Sequence, residues 1–369
     1  MKKIDILTYH RVYNFGSLLQ TYALQEYLRK KNCKVEVIDY YPKRLRMKNT
    51  LFHVNPKWSK PFFKMIIHLI PAVIARLLGY HMMNRFLYKY VALTERTYFD
   101  EADLKSNLPT ADIYLNGSDQ IWNLDTADGE VDKVFFMAFL PDNAMKAAYA
   151  GSFGKDSFLT EDIKEIGKHL SRYSKVSVRE KSGLQILKEA GIEDGEWVLD
   201  PSFLLNKDEW LKIASPMRLP EHYVLVYNLN RNPRISNLAI RIAKEKKLPI
   251  VNFAHSFCFI KGAKNLIYPT PNTFIYMFAH ADYVVTDSFH GTAFSINFNR
   301  QFICIPAPRF NSRLESVLEL AGLSERLLWE NDDFSIINKE ISYESINKTL
   351  KEEREHSDKF ITEIINIKR

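Results

Sequence analysis

The chain has 369 residues, which is the length of about two ordinary domains. With 46% hydrophobic and 26% charged residues it has globular composition, which excludes a disordered chain, a collagen and a low-complexity array. Cys33, Cys258 and Cys304 lie far apart with no CxxC pair, so neither a disulfide framework nor a cysteine zinc site is expected. That pattern, and an opening MKKIDILTYH without an apolar core of signal-peptide length, predicts a cytoplasmic protein.

The formal net charge is +7, and its placement matters more than its size. Between Tyr41 and Ala92 there are ten Lys/Arg, from Lys43 to Lys89, and no Asp or Glu. In the rest of the chain acidic residues outnumber basic ones. A nucleic-acid partner would require basic residues over a broad face together with reading motifs such as RNP aromatics or zinc fingers, and none is present.

In chain order, Ile4–Tyr9 has the length and apolarity of a strand, Asn14-Phe15-Gly16-Ser17 is a turn, and LLQTYALQEYLRKK has helical spacing. Lys34–Tyr40 alternates as a second strand, which completes a βαβ unit. Gly16 at the strand-to-helix turn either exposes backbone N–H groups that suit a phosphate or simply makes the turn. The acid-free segment reads either as an amphipathic helix pair covering the sheet or as a surface that meets anionic lipid. Its longest uncharged run, Met65–Ala75, contains Pro71 and is too short to span a bilayer.

Further strands are expected at Ala111–Leu115, Lys146–Ala150, Lys175–Val178 and Glu196–Leu199, with a helix over Lys181–Ala190. Leu205–Pro220 reads as a linker. A second α/β cycle then runs through strands at Tyr223–Asn228, Pro249–Phe253, Ala281–Thr286 and Gln301–Ile305, with helices at Pro233–Lys247, Asn272–His280 and after His290-Gly291-Thr292. The expected fold is α/β: two Rossmann-like domains, 1–205 with the basic insert and 206–369 with a helical tail, facing a cleft with ligands at the carboxyl ends of strands.

Five motif blocks in order carry a resemblance. They are Asn14–Gln25 after the first strand, Gly117-Ser118-Asp119-Gln120-Ile121-Trp122-Asn123, Ser177-Val178-Arg179-Glu180, Asp200-Pro201-Ser202-Phe203-Leu204-Leu205 and Thr286-Asp287-Ser288-Phe289-His290-Gly291-Thr292. From about Ile4 to Leu323 the chain resembles the polysaccharide pyruvyl transferase family. The resemblance implies a glycosyltransferase-B-like fold and transfer of pyruvate from phosphoenolpyruvate to sugar hydroxyls as a ketal, on a cell-surface polysaccharide precursor. The donor is a substrate, and no cofactor or metal is expected. It also implies an acceptor assembled on a polyprenyl diphosphate carrier, hence peripheral attachment to an anionic membrane surface. A nucleotide-sugar glycosyltransferase of the same architecture and a non-catalytic family member are the competing readings.

The chemistry needs a proton at C3 of the donor, and histidine is the usual carrier. His290, at a strand-to-helix junction, is the candidate, either as the general acid or as a ligand of the departing phosphate. Many relatives resemble Arg-Leu-His here, the arginine binding the donor, whereas this chain has Ser288-Phe289-His290. Arg179 is the candidate clamp for carboxylate or phosphate, against a surface ion pair with a neighbour such as Glu180. Arg309 and Arg313 are weaker substitutes, with a helix-face role the favoured reading for both. Asp119 is either a base for a sugar hydroxyl or a turn cap, and Gly16, Ser17, Ser118, Ser288 and Gly291 complete the substrate-binding set. Asp287 either orients His290 or caps its helix, and Trp122 either stacks on a sugar or is buried.

Overall fold

The computed structural model describes residues 1–47, 62–124, 132–254, 258–267, 269–308, 311–330 and 333–367, without the side chains of 62–68, 70–72 and 75. Two parallel sheets make up the fold. The first has seven strands in the order β3-β2-β1-β4-β5-β6-β7: β1 Lys3–Leu7, β2 Lys34–Tyr40, β3 Leu93–Tyr98, β4 Ile113–Asn116, β5 Lys146–Gly151, β6 Lys175–Val178 and β7 Glu196–Trp197. The second has five in the order β10-β9-β8-β11-β12: β8 Val224–Tyr227, β9 Ile250–Phe253, β10 Lys264–Leu266, β11 Tyr283–Thr286 and β12 Gln301–Cys304.

Central strands such as VLVY and YVVT are buried along their whole length, as a parallel sheet covered on both faces requires. Strand order reverses between β1 and β4 in the first sheet and between β8 and β11 in the second. At such switch points the connections leave in opposite directions and open a crevice outside the carboxyl ends. The strands carry Leu7 opposite Asn116 and Tyr227 opposite Thr286 at those ends.

Helix α1, Phe15–Lys30, is buried from Phe15 through Gln25, because it is packed by both halves of the molecule. Phe15 lies 5.0 Å from the Phe253 ring and 5.2 Å from the Phe274 ring, so the start of a first-half helix is anchored in the second-half core. This aromatic anchor fixes where Gly16 and Ser17 stand.

Several expectations need correction. Within the acid-free segment the described residues Phe62–Tyr90 form one 29-residue helix, α2, and residues 48–61 lie outside the described residues. β3, the following helix α3 Glu101–Ser106, and β10 carry weak sequence signals and were not foreseen. Helices α4 Thr160–Leu170 and α5 Lys181–Glu189 follow, and the expected linker contains a short helix, α6 Lys207–Leu211, closed by an Asn206–Glu209 capping box. In the second half come α7 Pro233–Lys246, α8 Pro271–His280, α9 Phe289–Asn297 and α10 Ser312–Leu320. The tail helix α11, Tyr343–Asn366, crosses back to the first sheet: Ser357 Oγ accepts from the Leu199 N–H at 3.1 Å and Lys175 pairs with Glu363.

Candidate active site

The crevice at the two switch points holds a cavity of about 230 Å³ lined by Asn14, Asp119, Gln120, Leu229, Asn230, Asp287, Ser288, Phe289, His290, Ala307, Arg313 and Leu314. Of the residues expected from sequence, Asp119, Ser288, His290 and Arg313 line it. Gly16, Ser17, Ser118, Arg179 and Gly291 stand behind it, and Arg309 lies outside the described residues.

His290 sits in the first turn of α9, after the N-cap Ser288, whose Oγ accepts from the Gly291 N–H at 3.3 Å. Ser288 is therefore the cap, and Asp287 neither caps the helix nor orients His290. Its carboxylate accepts from the N–H groups of Leu229 (2.7 Å) and Asn230 (2.9 Å), tying the β8 exit loop to the β11 exit. The His290 imidazole packs against α1: a Cβ on Gly16 would fall 1.9 Å from His290 Nδ1. Gly16 is thus required by close approach, and its N–H, with that of Ser17, already donates to Asn14 Oδ1. Gly291 is a second close approach, with Thr286 Oγ1 2.4 Å from where its Cβ would be. His290 Nε2 lies 3.9 Å from Asp200 Oδ1 and has no hydrogen-bond partner among the described residues. Burial pushes the imidazole down to about 4, and the Asp200 carboxylate offsets this only in part.

Behind the histidine is a buried ion network. Arg179 leaves the end of β6 with its side chain fully buried. Its Nη1 donates to Asp200 Oδ2 at 2.8 Å and to Ser118 Oγ at 3.3 Å, and its Nη2 to Asp119 Oδ1 at 3.3 Å. The guanidinium lies 5.0 Å from the Phe289 ring centroid. Burial opposes its charge, but Asp200 and Asp119 hold it above its ordinary value. The ion pair is buried rather than on the surface, and its main partner is Asp200, with Glu180 Oε2 at 3.9 Å from Nε.

Asp119 has φ of 82°, a strained conformation for a non-glycine residue, and continues the β4 line as a bridge to Gly151. Its Oδ1 also accepts from the Gln120 N–H at 2.8 Å, and its Oδ2 accepts from Ser17 Oγ. Burial is outweighed by Arg179 and His290, and the carboxyl stays below its usual range. An ionised carboxylate already accepting from three donors is a weak base, so its evident work is to fix Ser17 and Arg179.

Sequence reasoning missed Asp200, Glu180 and Asn14 as site residues. Each follows a strand or opens a helix inside a quoted motif block, which was the available signal. Asp200 is held below its usual range because His290, Arg179 and the Ser202 N–H outweigh burial. Glu180 is raised by burial and accepts at one oxygen from Ser152 Oγ and the Phe153 N–H, both at 2.9 Å. Trp122 is buried against Phe136 and Phe153 and is not among the residues lining the cleft cavity.

Arg313, on the first turn of α10, supplies the cation at the cleft wall. No described carboxylate lies within ion-pair distance of it, and burial together with the neighbouring Arg179 lowers it to about 10. With the Gln120 amide oxygen turned toward it, that oxygen accepts from Nη1 and Nη2 at 2.9 Å each.

Two facing parallel α/β sheets with a polar cleft at both switch points define a two-domain protein of the glycosyltransferase-B-like class. The chain belongs to the polysaccharide pyruvyl transferase family, a transferase family whose sequence profile matches residues 14–307. Among solved structures it is similar to a putative UDP-N-acetylglucosamine 2-epimerase from Listeria monocytogenes (9% identity, 97% of this chain and 90% of that one, TM-score 0.52). It is similarly close to an S. aureus MnaA–UDP co-structure (12% identity, 97% and 90% covered, TM-score 0.50). At these identities the likeness speaks for the fold alone. No curated protein matches the sequence.

Proposed function

We propose that this protein transfers pyruvate from phosphoenolpyruvate to two hydroxyls of one sugar in a polysaccharide precursor, forming a ketal and releasing phosphate. The observation that carries this is the family match together with a compact cleft that His290 and Arg313 both line. At about 230 Å³ the cavity is smaller than the roughly 300–1,000 Å³ of drug-sized pockets, which favours a small donor over a nucleotide sugar.

In this reading Arg313 receives the donor's phosphate or carboxylate in place of the arginine that Ser288 replaces. His290, protonated once the anionic donor is bound, delivers a proton to C3, leaving C2 electrophilic. The first sugar hydroxyl adds to C2 and its proton returns to His290. The second hydroxyl then displaces phosphate, which takes the remaining proton, so donor and diol become ketal and inorganic phosphate. Asp119, Arg179 and Asp200 act as positioning residues behind the histidine. The acceptor is expected to be carried on polyprenyl diphosphate.

The test is incubation with labelled phosphoenolpyruvate and a lipid-linked galactose-type acceptor. Phosphate release with acid-labile pyruvate on the sugar supports the reading; UDP-sugar turnover instead would overturn it.

Two expected outcomes follow from the geometry. Arg313→Ala should weaken donor binding in calorimetry by at least about tenfold, as loss of a charge-assisted contact does, with Arg313→Lys restoring part of it. Undiminished donor affinity would remove Arg313 from the donor site. Gly16→Ala places a methyl on the His290 ring, so turnover should fall by about 10²-fold through misplacement of that group. Wild-type turnover by this variant would show that His290 needs no fixed seat.

A further inference from the structure

Helix α2 has a largely exposed outer face, on which Arg11 Nη1 donates to the Tyr88 hydroxyl at 3.0 Å and Arg85 and Lys89 border a cavity against the second half. At about 100° per residue, Ile74, Leu77, Leu78, Arg85, Tyr88 and Lys89 fall in one sector of about 120°. All six are exposed: Ile74 is 52%, Leu77 42%, Leu78 47% and Tyr88 64% accessible, and Arg85 and Lys89 stand beside them. The opposite face buries Met83, Phe86 and Leu87, with the Phe86 ring 5.9 Å from that of Tyr22. The helix is therefore docked by one side, and its outer side is apolar toward the amino end and basic-aromatic toward the carboxyl end. Side chains of that kind enter a lipid headgroup region from one end and pair with lipid phosphates at the other.

The charge pattern selects the occupant. No acidic residue occurs between Tyr41 and Ala92. Beside Arg85 and Lys89, the cavity between α2 and the second half is lined by Ser215, Thr270, Asn272 and Thr273, which bring hydroxyls and amides but no carboxylate. A second copy meeting this face through a two-fold axis would set the helix's cations against an equally basic helix, with little charge complementarity. Other basic residues of the segment are engaged elsewhere: Arg44 pairs with Asp132, and Arg46 packs 4.4 Å from the Phe99 ring centroid. Lys48, Lys57, Lys60 and the side chains of Lys64 and Met65-Ile66-Ile67 lie outside the described residues.

The geometry points to the outer face of α2 as a docking surface for an anionic membrane. The proposed attachment is peripheral; among the described residues no helix is long and apolar enough to cross a membrane. The inner side of the same helix, through Tyr80, Met83 and Leu87, roofs a cavity of about 220 Å³ whose floor is His10–Tyr13. That loop runs directly into Asn14 of the active-site cleft. Docking through α2 thus places His10–Tyr13, which leads into the cleft residue Asn14, directly beneath the docked helix.

The test is co-sedimentation of the full chain with phosphatidylcholine vesicles, with and without phosphatidylglycerol, at low and high salt. The protein should bind only the anionic vesicles and be released by salt. Arg85→Gln/Lys89→Gln should lower partitioning about 30-fold, at the usual contribution of each cation near a charged leaflet. Leu77→Ser/Leu78→Ser should weaken binding in both salt conditions, whereas Lys244→Gln/Lys261→Gln, an equal charge change on the far domain, should leave it unchanged. Equal binding to neutral vesicles, or full binding by both α2 variants, would overturn the proposal. So would a dimer in ultracentrifugation that Leu77→Ser/Leu78→Ser dissociates, which would assign the face to a second copy. No substrate enters this assay, so its failure is separate from any failure of pyruvyl transfer.

Discussion

Replacing His290 with glutamine or alanine is expected to lower turnover by about 10²–10⁴-fold, the usual range for loss of a general acid–base group. The reason lies in how the imidazole is held. Burial brings it down to about 4, so at neutral pH only about one molecule in a thousand carries the proton in the ligand-free protein. Its Nε2 has no hydrogen-bond partner among the described residues. A neutral imidazole cannot protonate an enol carbon. It becomes competent when a donor carrying both a carboxylate and a phosphate enters the cleft and its negative charge raises the imidazole toward neutrality. Donor binding near neutral pH should therefore take up protons, visible as a dependence of the binding enthalpy on the buffer's ionisation enthalpy. His290→Gln should abolish most of that uptake while the fold melts at close to the wild-type temperature. The histidine also sets a sign for stability. Its folded-state value is below the unfolded one of about 6.5, so the unfolded chain binds the extra proton and stability is lost as pH falls from about 6.5 toward 4. Normal turnover and normal proton uptake in His290→Gln would take this residue out of the reaction.

Much of this arrangement is legible in the sequence, because parallel-sheet proteins place functional groups where strands end. The runs at Ala111–Leu115, KVSV and Tyr283–Thr286 are read as strands, and Asp119, Arg179 and His290 are read as following their ends. β3 escapes because LTERTY is a half-exposed edge strand without an apolar face, and β10 because three residues carry no periodicity. What the sequence does not reveal is pairing in space. Nothing local indicates that Arg179 meets Asp200, 21 residues on, rather than the adjacent Glu180, because the choice is made by β7 returning beside β6. Nor does a glycine at position 16 announce that an imidazole from the other half of the chain will lie against it. Arg313 looks like an ordinary helix-face residue until α10 is seen to turn its first turn into the cleft.

Arg179→Ala is expected to destabilise the protein by about 3–5 kcal/mol, as removal of one partner from a buried ion pair does. Asp200 and Asp119 have side chains only 1% and 12% exposed, and without the guanidinium both remain buried as carboxylates with too few donors. The pH dependence identifies the cause. In the wild type both carboxyls are held below 3.8, so their contribution is present at neutral pH and is lost as pH falls through the acid range. In the variant their folded-state values rise above the unfolded ones, so stability is lost as pH rises instead. The gap between the two proteins should be widest near neutrality and close toward acid pH. Arg179→Ala/Asp200→Asn, with one buried charge fewer, should recover part of the loss. Arg179→Lys should recover little, because a point charge cannot bridge Asp119 and Asp200 together as the planar guanidinium does. Kinetically, a positioning role predicts a fall in kcat larger than the rise in KM for the donor, since Asp119 and Asp200 hold Ser17 and face His290. If Arg179→Ala melts like the wild type and loses only donor affinity, the guanidinium is a direct clamp on the donor and the buried bridge seen here is its resting place.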